Sequence, residues 1–145
     1  ILPLPTLSFH SELSSFKLKG KSKLRKWLSQ IVAIHQGSIL SINFIFCDDE
    51  YLLSLNKTHL QHDTLTDIIT FRYQEHPLPL ESDIYISVDR VKENACQYNV
   101  SFENELNRVM AHGLFHLLGY KDKTTAEAKI MREKEDEALA LWLAI

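Results

Sequence analysis

Asp67-Ile68-Ile69-Thr70-Phe71-Arg72-Tyr73 and Asp83-Ile84-Tyr85-Ile86-Ser87-Val88 flank a short connector that carries Pro77 and Pro79. Both runs are rich in β-branched and aromatic residues, which suit a pleated surface, and both read as strands. A link this short has no room for a crossover helix, so the two strands are expected to be antiparallel neighbours. Upstream, Ile39-Leu40-Ser41-Ile42-Asn43-Phe44-Ile45-Phe46 reads as a buried strand, and Thr6 to Ser11 as a short first one in which Leu7 and Phe9 alternate with polar neighbours. Between them, Leu24, Trp27, Leu28 and Ile31 follow the i, i+3, i+4, i+7 rhythm of an amphipathic helix over Lys21 to Ile34, with Gly37 as a stop. Asp48 and Asp49 can cap a further helix running to about Asn56. Three helices follow: one from about Val88 to Tyr98, one opening at Ser101, and one opening at Thr124 with Glu127 three residues on, a capping box. A βαβα opening joined to a hairpin predicts an α+β fold, with a small mixed sheet of about four strands packed with about five helices.

The chain has 145 residues, 45% of them hydrophobic, and a formal net charge of −3. Such a chain can bury roughly 70% of its unfolded surface. One domain spanning residues 1–145 is therefore expected, and a metal would serve chemistry rather than hold the fold together. The near-neutral charge argues against a generally basic nucleic-acid coat but leaves room for a local basic groove. Cys47 and Cys96 lack CxxC spacing and read as buried small hydrophobes in a reduced compartment. No stretch has the length of a membrane span, and the apolar start with Pro3 and Pro5 makes a poor signal peptide, so a cytoplasmic location and no membrane partner are expected.

The chemistry is concentrated in Met110-Ala111-His112-Gly113-Leu114-Phe115-His116-Leu117-Leu118-Gly119-Tyr120-Lys121-Asp122-Lys123. Leu106, Val109, Met110, Leu114 and Leu117 form an apolar stripe, while His112 and His116, one turn apart, share another face. Two imidazoles so placed can hold one ion at about 2.0–2.1 Å per nitrogen. Gly119 supplies the turn that ends the helix, and Asp122 follows it. His-x3-His-x5-Asp is thus a candidate three-ligand set on a zincin-like helix, with a fourth position left for a metal-bound water that would carry catalysis. The competing reading of a lone His-x3-His is a half-buried pair bonded to backbone, which Gly119 and Asp122 weaken. A metallopeptidase of the HExxH kind needs a general-base Glu beside the first histidine, and here that residue is Gly113. Its absence favours phosphodiester over peptide chemistry, since a metal can activate water or polarise phosphate without that carboxylate.

His112-Gly113-Leu114-Phe115-His116-Leu117-Leu118-Gly119-Tyr120 resembles the HGxLHLxGYDH signature of the YbeY family of metal-dependent endoribonucleases, with Phe115 in place of Leu. Leu55-Asn56, Thr66-Asp67-Ile68-Ile69-Thr70-Phe71 and Asp83-Ile84-Tyr85-Ile86-Ser87 are similar to its other recurring segments, so the likeness spans roughly residues 40 to 140. The resemblance implies a zinc-like metal, an RNA substrate, single-strand-specific cleavage in 16S rRNA 3′-end maturation and ribosome quality control, and contact with the ribosome or small-subunit proteins. Alternative readings are a ribosome-assembly factor with a structural metal and little nuclease activity, and a zinc peptidase.

Two departures from the family pattern stand out. Where a third histidine commonly closes the metal site, this chain has Asp122, and where an arginine commonly faces the cleft, spacing lands on Leu60. A carboxylate is an acceptable zinc ligand, although it makes Mg²⁺ or Mn²⁺ less improbable. With no protein general base identified, Lys57, His59, His62, Arg72 and Lys121 are the candidates to contact substrate, since phosphodiester cleavage needs positive or hydrogen-bonding groups on the non-bridging oxygens. Lys17, Lys19, Lys21, Lys23, Arg25 and Lys26 form a basic run that reads first as a solvated face and second as an RNA contact, because no aromatic residue alternates with the charges. Glu127, Glu133, Glu135, Asp136 and Glu137 read as surface partners of Lys129, Arg132 and Lys134, and Ile130, Met131, Leu139, Leu141 and Trp142 as the packed side of the last helix. Asp67 and Asp83, at expected strand starts, read first as capping or structural hydrogen-bonding groups, and Asp67, near the cleft, second as a general base.

Overall fold

A computed structural model describes residues 4–60 and 65–145. The elements run β1 (Thr6–Ser11), α1 (Lys21–Ile34), β2 (Ile39–Cys47), α2 (Asp49–Leu60), β3 (Ile68–Gln74), β4 (Leu80–Ser87), α3 (Val88–Tyr98), α4 (Phe102–Leu117) and α5 (Thr125–Ala144). The four strands form one sheet in the order β1-β2-β4-β3, with β1, β2 and β4 parallel and β3 antiparallel to β4. The α+β expectation, the mixed sheet and the hairpin are borne out. Most boundaries agree to within a residue, and two differ by more. α2 continues past Asn56 to Leu60. β4 starts at Leu80, not Asp83, because Leu80 and Glu81 already pair with β2 and Ser82 Oγ donates to the Phe71 carbonyl at 2.8 Å. Asp83 consequently sits inside the strand, accepting from Asn43 Nδ2 and the Tyr73 hydroxyl, both at 2.9 Å.

Alternation along β4 sends Ile84 and Ile86 into the main core and Tyr85 to the opposite face, where it joins a small cluster of Cys47, Leu52 and Ile69 near α2. The main core brings Trp27, Leu28 and Ile31 of α1 together with Phe44 and Phe46 of β2 and with α4. α4 is largely enclosed, with Leu106, Val109, Met110, Ala111, Leu114, Phe115 and Leu117 all buried. Its close seat on the sheet depends on Gly113, where an added Cβ would lie 2.9 Å from Ile68 Cδ1 and 3.4 Å from Ile84. The position at which an HExxH enzyme carries its glutamate is therefore packed against the sheet here, which removes the main support of the peptidase reading.

The predicted caps form as expected. Ser101 Oγ accepts from Asn104 N at 3.1 Å. Thr124 and Glu127 make the reciprocal capping box. Asp48 caps α2 by accepting from Tyr51 N, whereas Asp49 pairs with Arg90 at 3.0 Å. Two side-chain expectations are corrected. Cys96 is exposed, because the buried side of α3 is formed by Val88, Val91 and Ala95. Cys47 is fully buried, and its burial pushes the thiol up to about 12. Ile130 is also exposed, since α5 turns Met131 and Ala138 to the core instead.

Candidate metal centre

The two histidines stand on the last turns of α4, and the chain then reverses in a Schellman turn. Gly119 adopts φ +105, the Tyr120 N–H donates to the Phe115 carbonyl at 2.9 Å and the Gly119 N–H to that of His116 at 3.1 Å. The Tyr120 ring meets the Phe115 ring at 5.7 Å, the apolar contact that accompanies this motif. The turn returns Asp122 to the histidines. His112 Nε2 and His116 Nε2 lie 2.9 Å apart, and Asp122 Oδ2 is 3.2 Å from the first and 3.3 Å from the second. An ion held tetrahedrally at about 2.05 Å would require ligand–ligand separations of about 3.3 Å, so little adjustment separates this cluster from a closed coordination shell.

The outer nitrogens decide which atoms are free to ligate. His112 Nδ1 lies 2.6 Å from Glu135 Oε2, and His116 Nδ1 lies 3.0 Å from the Tyr120 carbonyl oxygen. Both partners only accept, so each Nδ1 carries the hydrogen and each Nε2 presents a lone pair. Burial first, then the neighbouring His112, holds His116 below its ordinary range and favours its neutral form. Two nitrogen lone pairs and a carboxylate oxygen thus converge with no donor among them, an arrangement that suits a divalent cation. His112, His116 and Asp122 together could hold one metal ion.

Behind His112 stands a network that sequence reading missed. Glu135 is 2% exposed, which corrects its reading as a surface residue, although its expected i, i+3 pairing with Arg132 is present at 3.6 Å. Its second oxygen accepts from Arg108 Nη1 at 2.8 Å, and Arg108 also donates from Nε to Glu105 at 2.9 Å, where Glu105 is 1% exposed. Burial opposes ionisation of Glu135, but the hydrogen bonds from His112 and Arg108 prevail and hold its carboxyl below the usual range. The ionised carboxylate fixes the His112 tautomer and ring orientation, as such outer partners do for metal-ligating histidines. The i, i+3 spacing of Glu105 and Arg108 was the available signal. Nothing local tied Glu135 to them.

The three residues open on a cleft of about 520 Å³ that is also lined by Asn56, Thr66, Asp67, Ile68, Thr70 and Arg72. Of the expected substrate contacts, Arg72 lines this cleft, with its guanidinium 3.4 Å from Glu75. Lys57, His59 and Lys121 are exposed and are not among the lining residues, His59 standing edge-on to Phe71. His62 lies outside the described residues. Asp67 sits on the cleft wall, where its carbonyl accepts from Ser87 N at 2.9 Å and its carboxylate from Asn94 Nδ2 at 3.3 Å. Burial raises the Asp67 carboxyl above its ordinary range.

Gly119→Ala should cost about 1–2 kcal/mol, the price of placing a Cβ in a left-handed conformation. It should also weaken metal binding, because the same turn sets both the Tyr120 carbonyl and Asp122. Urea unfolding and a metal titration check this, and an alanine variant as stable as wild type would refute the role given to the turn.

Fold and site together define an α+β protein with a histidine–histidine–carboxylate cluster at the end of a buried helix, a class suited to holding a divalent cation beside a polar cleft. The family model of endoribonuclease YbeY matches residues 9–142. A relative of that name from Cytophaga hutchinsonii is 49% identical over 136 residues, covering 94% of this chain and 95% of the relative. Another from Flavobacterium johnsoniae is 47% identical over 136 residues, covering 94% and 96%. The solution structure of a Thermotoga maritima protein matches with a TM-score of 0.64 at 27% identity, over 95% of this chain and 92% of that one. The chain belongs to the endoribonuclease YbeY family.

Proposed function

We propose that this chain is a zinc-dependent, single-strand-specific endoribonuclease of the cytoplasm. It acts as one domain in 16S rRNA 3′-end maturation and ribosome quality control, with rRNA precursors as substrate and small-subunit proteins as partners. The observation that carries the reading is the convergence of His112 Nε2, His116 Nε2 and Asp122 Oδ2 at an open polar cleft. The relatives' shared name supplies the substrate class. Two imidazoles and one carboxylate form a nitrogen-rich set that suits Zn²⁺ better than Mg²⁺. Among the described residues, no helix is long and apolar enough to cross a membrane.

When bound, the cation supplies Lewis acidity to a phosphoryl oxygen and lowers the pKa of water. His112, His116 and Asp122 hold it, and Glu135 and the Tyr120 carbonyl keep the two rings in the ligating tautomer. Arg72 faces the same space and is assigned the non-bridging phosphate oxygens, where fixed positive charge stabilises the transition state. Lys57, His59, His62 and Lys121 are assigned contacts farther along the strand.

The test combines metal analysis of the purified protein with cleavage of single-stranded and duplex RNA before chelation, after chelation and after zinc is restored. The expected result is one zinc ion per chain, cleavage confined to the single strand, and activity that disappears and returns with the metal. Cleavage that persists in chelated protein would overturn the reading.

A further inference from the structure

The basic run Lys17 to Lys26 surrounds the N-terminus of α1. Lys17, Lys19, Lys21 and Lys23 form no ion pair among the described residues. The helix they surround opens at Gly20, with φ 70, no side-chain cap and no acidic residue in its first turn. Its leading N–H groups thus have no side-chain cap, the condition that favours an anion; Glu103, which accepts from Trp142 Nε1 at 3.2 Å, is the one acidic residue lining the groove beside it among the described residues.

A groove of about 490 Å³ adjoins this helix end, with Lys17, Lys19 and Lys23 among its lining residues. Its apolar part includes Phe16, Phe102 and Trp142, brought from three separate segments, and the Lys23 ammonium lies 4.0 Å over the Trp142 ring. Asn107, on α4, also lines it. This residue is 3% exposed, and its carboxamide makes no hydrogen bond with the described residues. Its amide atoms stay open to solvent at the groove, so their donor and acceptor are unused by the chain and available to a ligand with matching groups.

A suitable ligand combines an anion for the helix end and lysines, a flat face for the aromatic rings, and a donor–acceptor edge for the carboxamide. A nucleotide of single-stranded RNA has all three. An acidic peptide offers the charge without the flat heteroaromatic face. We infer that this groove is a second RNA subsite, which holds one unpaired nucleotide of the substrate outside the metal cleft. Asn107 and His112 are five residues apart on α4, about 7.5 Å along its axis and about 140° around it by helix geometry. The two sites thus open on different sides of one helix, and only a substrate that extends well beyond the scissile bond reaches both. The inference rests on the endoribonuclease reading.

The experiment uses the full chain with two cleavable substrates, a trinucleotide that can occupy the metal cleft alone and a long single strand. A Lys17→Glu/Lys19→Glu double variant alters two exposed side chains and leaves the core untouched. For the long strand its KM should rise about tenfold or more, and the salt dependence of binding should flatten by about 1.4 in log–log slope. Trinucleotide cleavage should stay at the wild-type rate. A non-cleavable 2′-O-methyl strand should quench Trp142 in the wild type and not in the variant, while Trp27, 0% exposed, stays silent. An unchanged KM and an unchanged quench would overturn the subsite, as would an acidic peptide that occupies the groove in preference to RNA. If the wild type cuts neither substrate, the endoribonuclease reading fails instead, and the 2′-O-methyl titration still decides the groove.

Discussion

Arg108→Ala is expected to lower folding stability by about 3–5 kcal/mol, because it leaves two buried carboxylates facing each other with only the solvent-exposed Arg132, 3.6 Å from Glu135, as a counter-charge. Glu105 and Glu135 are 1% and 2% exposed and come from different helices, and Arg108 bridges them. Burial works against the guanidinium's charge, but the hydrogen bonds to the two carboxylates outweigh it and raise its pKa. Glu135 has a folded-state pKa below its unfolded value, so its stabilising contribution is complete above the unfolded value and is lost as pH falls through the folded one. The gap between wild type and variant should accordingly be widest near neutrality and narrow in acid. Urea unfolding at several pH values measures it, and a neutral-pH loss under about 0.5 kcal/mol, the scale of an ordinary surface change, would show that the network is not structural. Replacing all three members by Glu105→Leu, Arg108→Met and Glu135→Leu should recover much of the stability, yet lose metal affinity, because His112 no longer has its orienting acceptor.

His116→Ala and Asp122→Ala should each weaken metal binding by more than about a hundredfold, the upper end of what loss of an outer partner costs. RNA cleavage should fall with it. The two residues are held differently, so the variants should differ in a second respect. His116 packs into the end of α4 with its Nδ1 tied to the Tyr120 carbonyl, whereas the Asp122 side chain is 40% exposed on the following loop. Asp122→Ala should therefore unfold like wild type without metal, and Asp122→His should restore a three-ligand set with one more unit of positive charge. Metal competition titrations with unfolding curves of the apo proteins separate these effects. Retained stoichiometry and affinity in Asp122→Ala would remove it from the ligand set.

Whatever rests on local periodicity and capping was legible in the sequence. The stripes of α1 and α4, the caps at Ser101 and Thr124, the hairpin and the HxxxH face all follow from residues within a few positions of one another. Contacts between distant segments were not legible. Glu135 reads as one more charge on a charged helix until α5 packs beside α4 and brings it to His112 and Arg108. The start of β4 was missed because Leu80 and Glu81 are recruited by pairing with β2, and Cys96 because the face of α3 turned inward is chosen by its neighbours. In the basic run no aromatic residue alternates with the charges, and only Phe16 beside it joins the groove; folding adds Phe102 and Trp142 from α4 and α5.

The Schellman turn at Gly119 divides the metal cluster into a fixed part and an exchangeable part. Two donors belong to a helix whose remaining faces are committed to the core, so their identity is locked to the architecture. The third candidate donor, Asp122, has its side chain 40% exposed on the loop beyond Tyr120. If Asp122 is a ligand, hardness, charge and ion preference at the site can change through position 122 alone while the scaffold stays unchanged, so an aspartate can stand where the signature it resembles has a histidine.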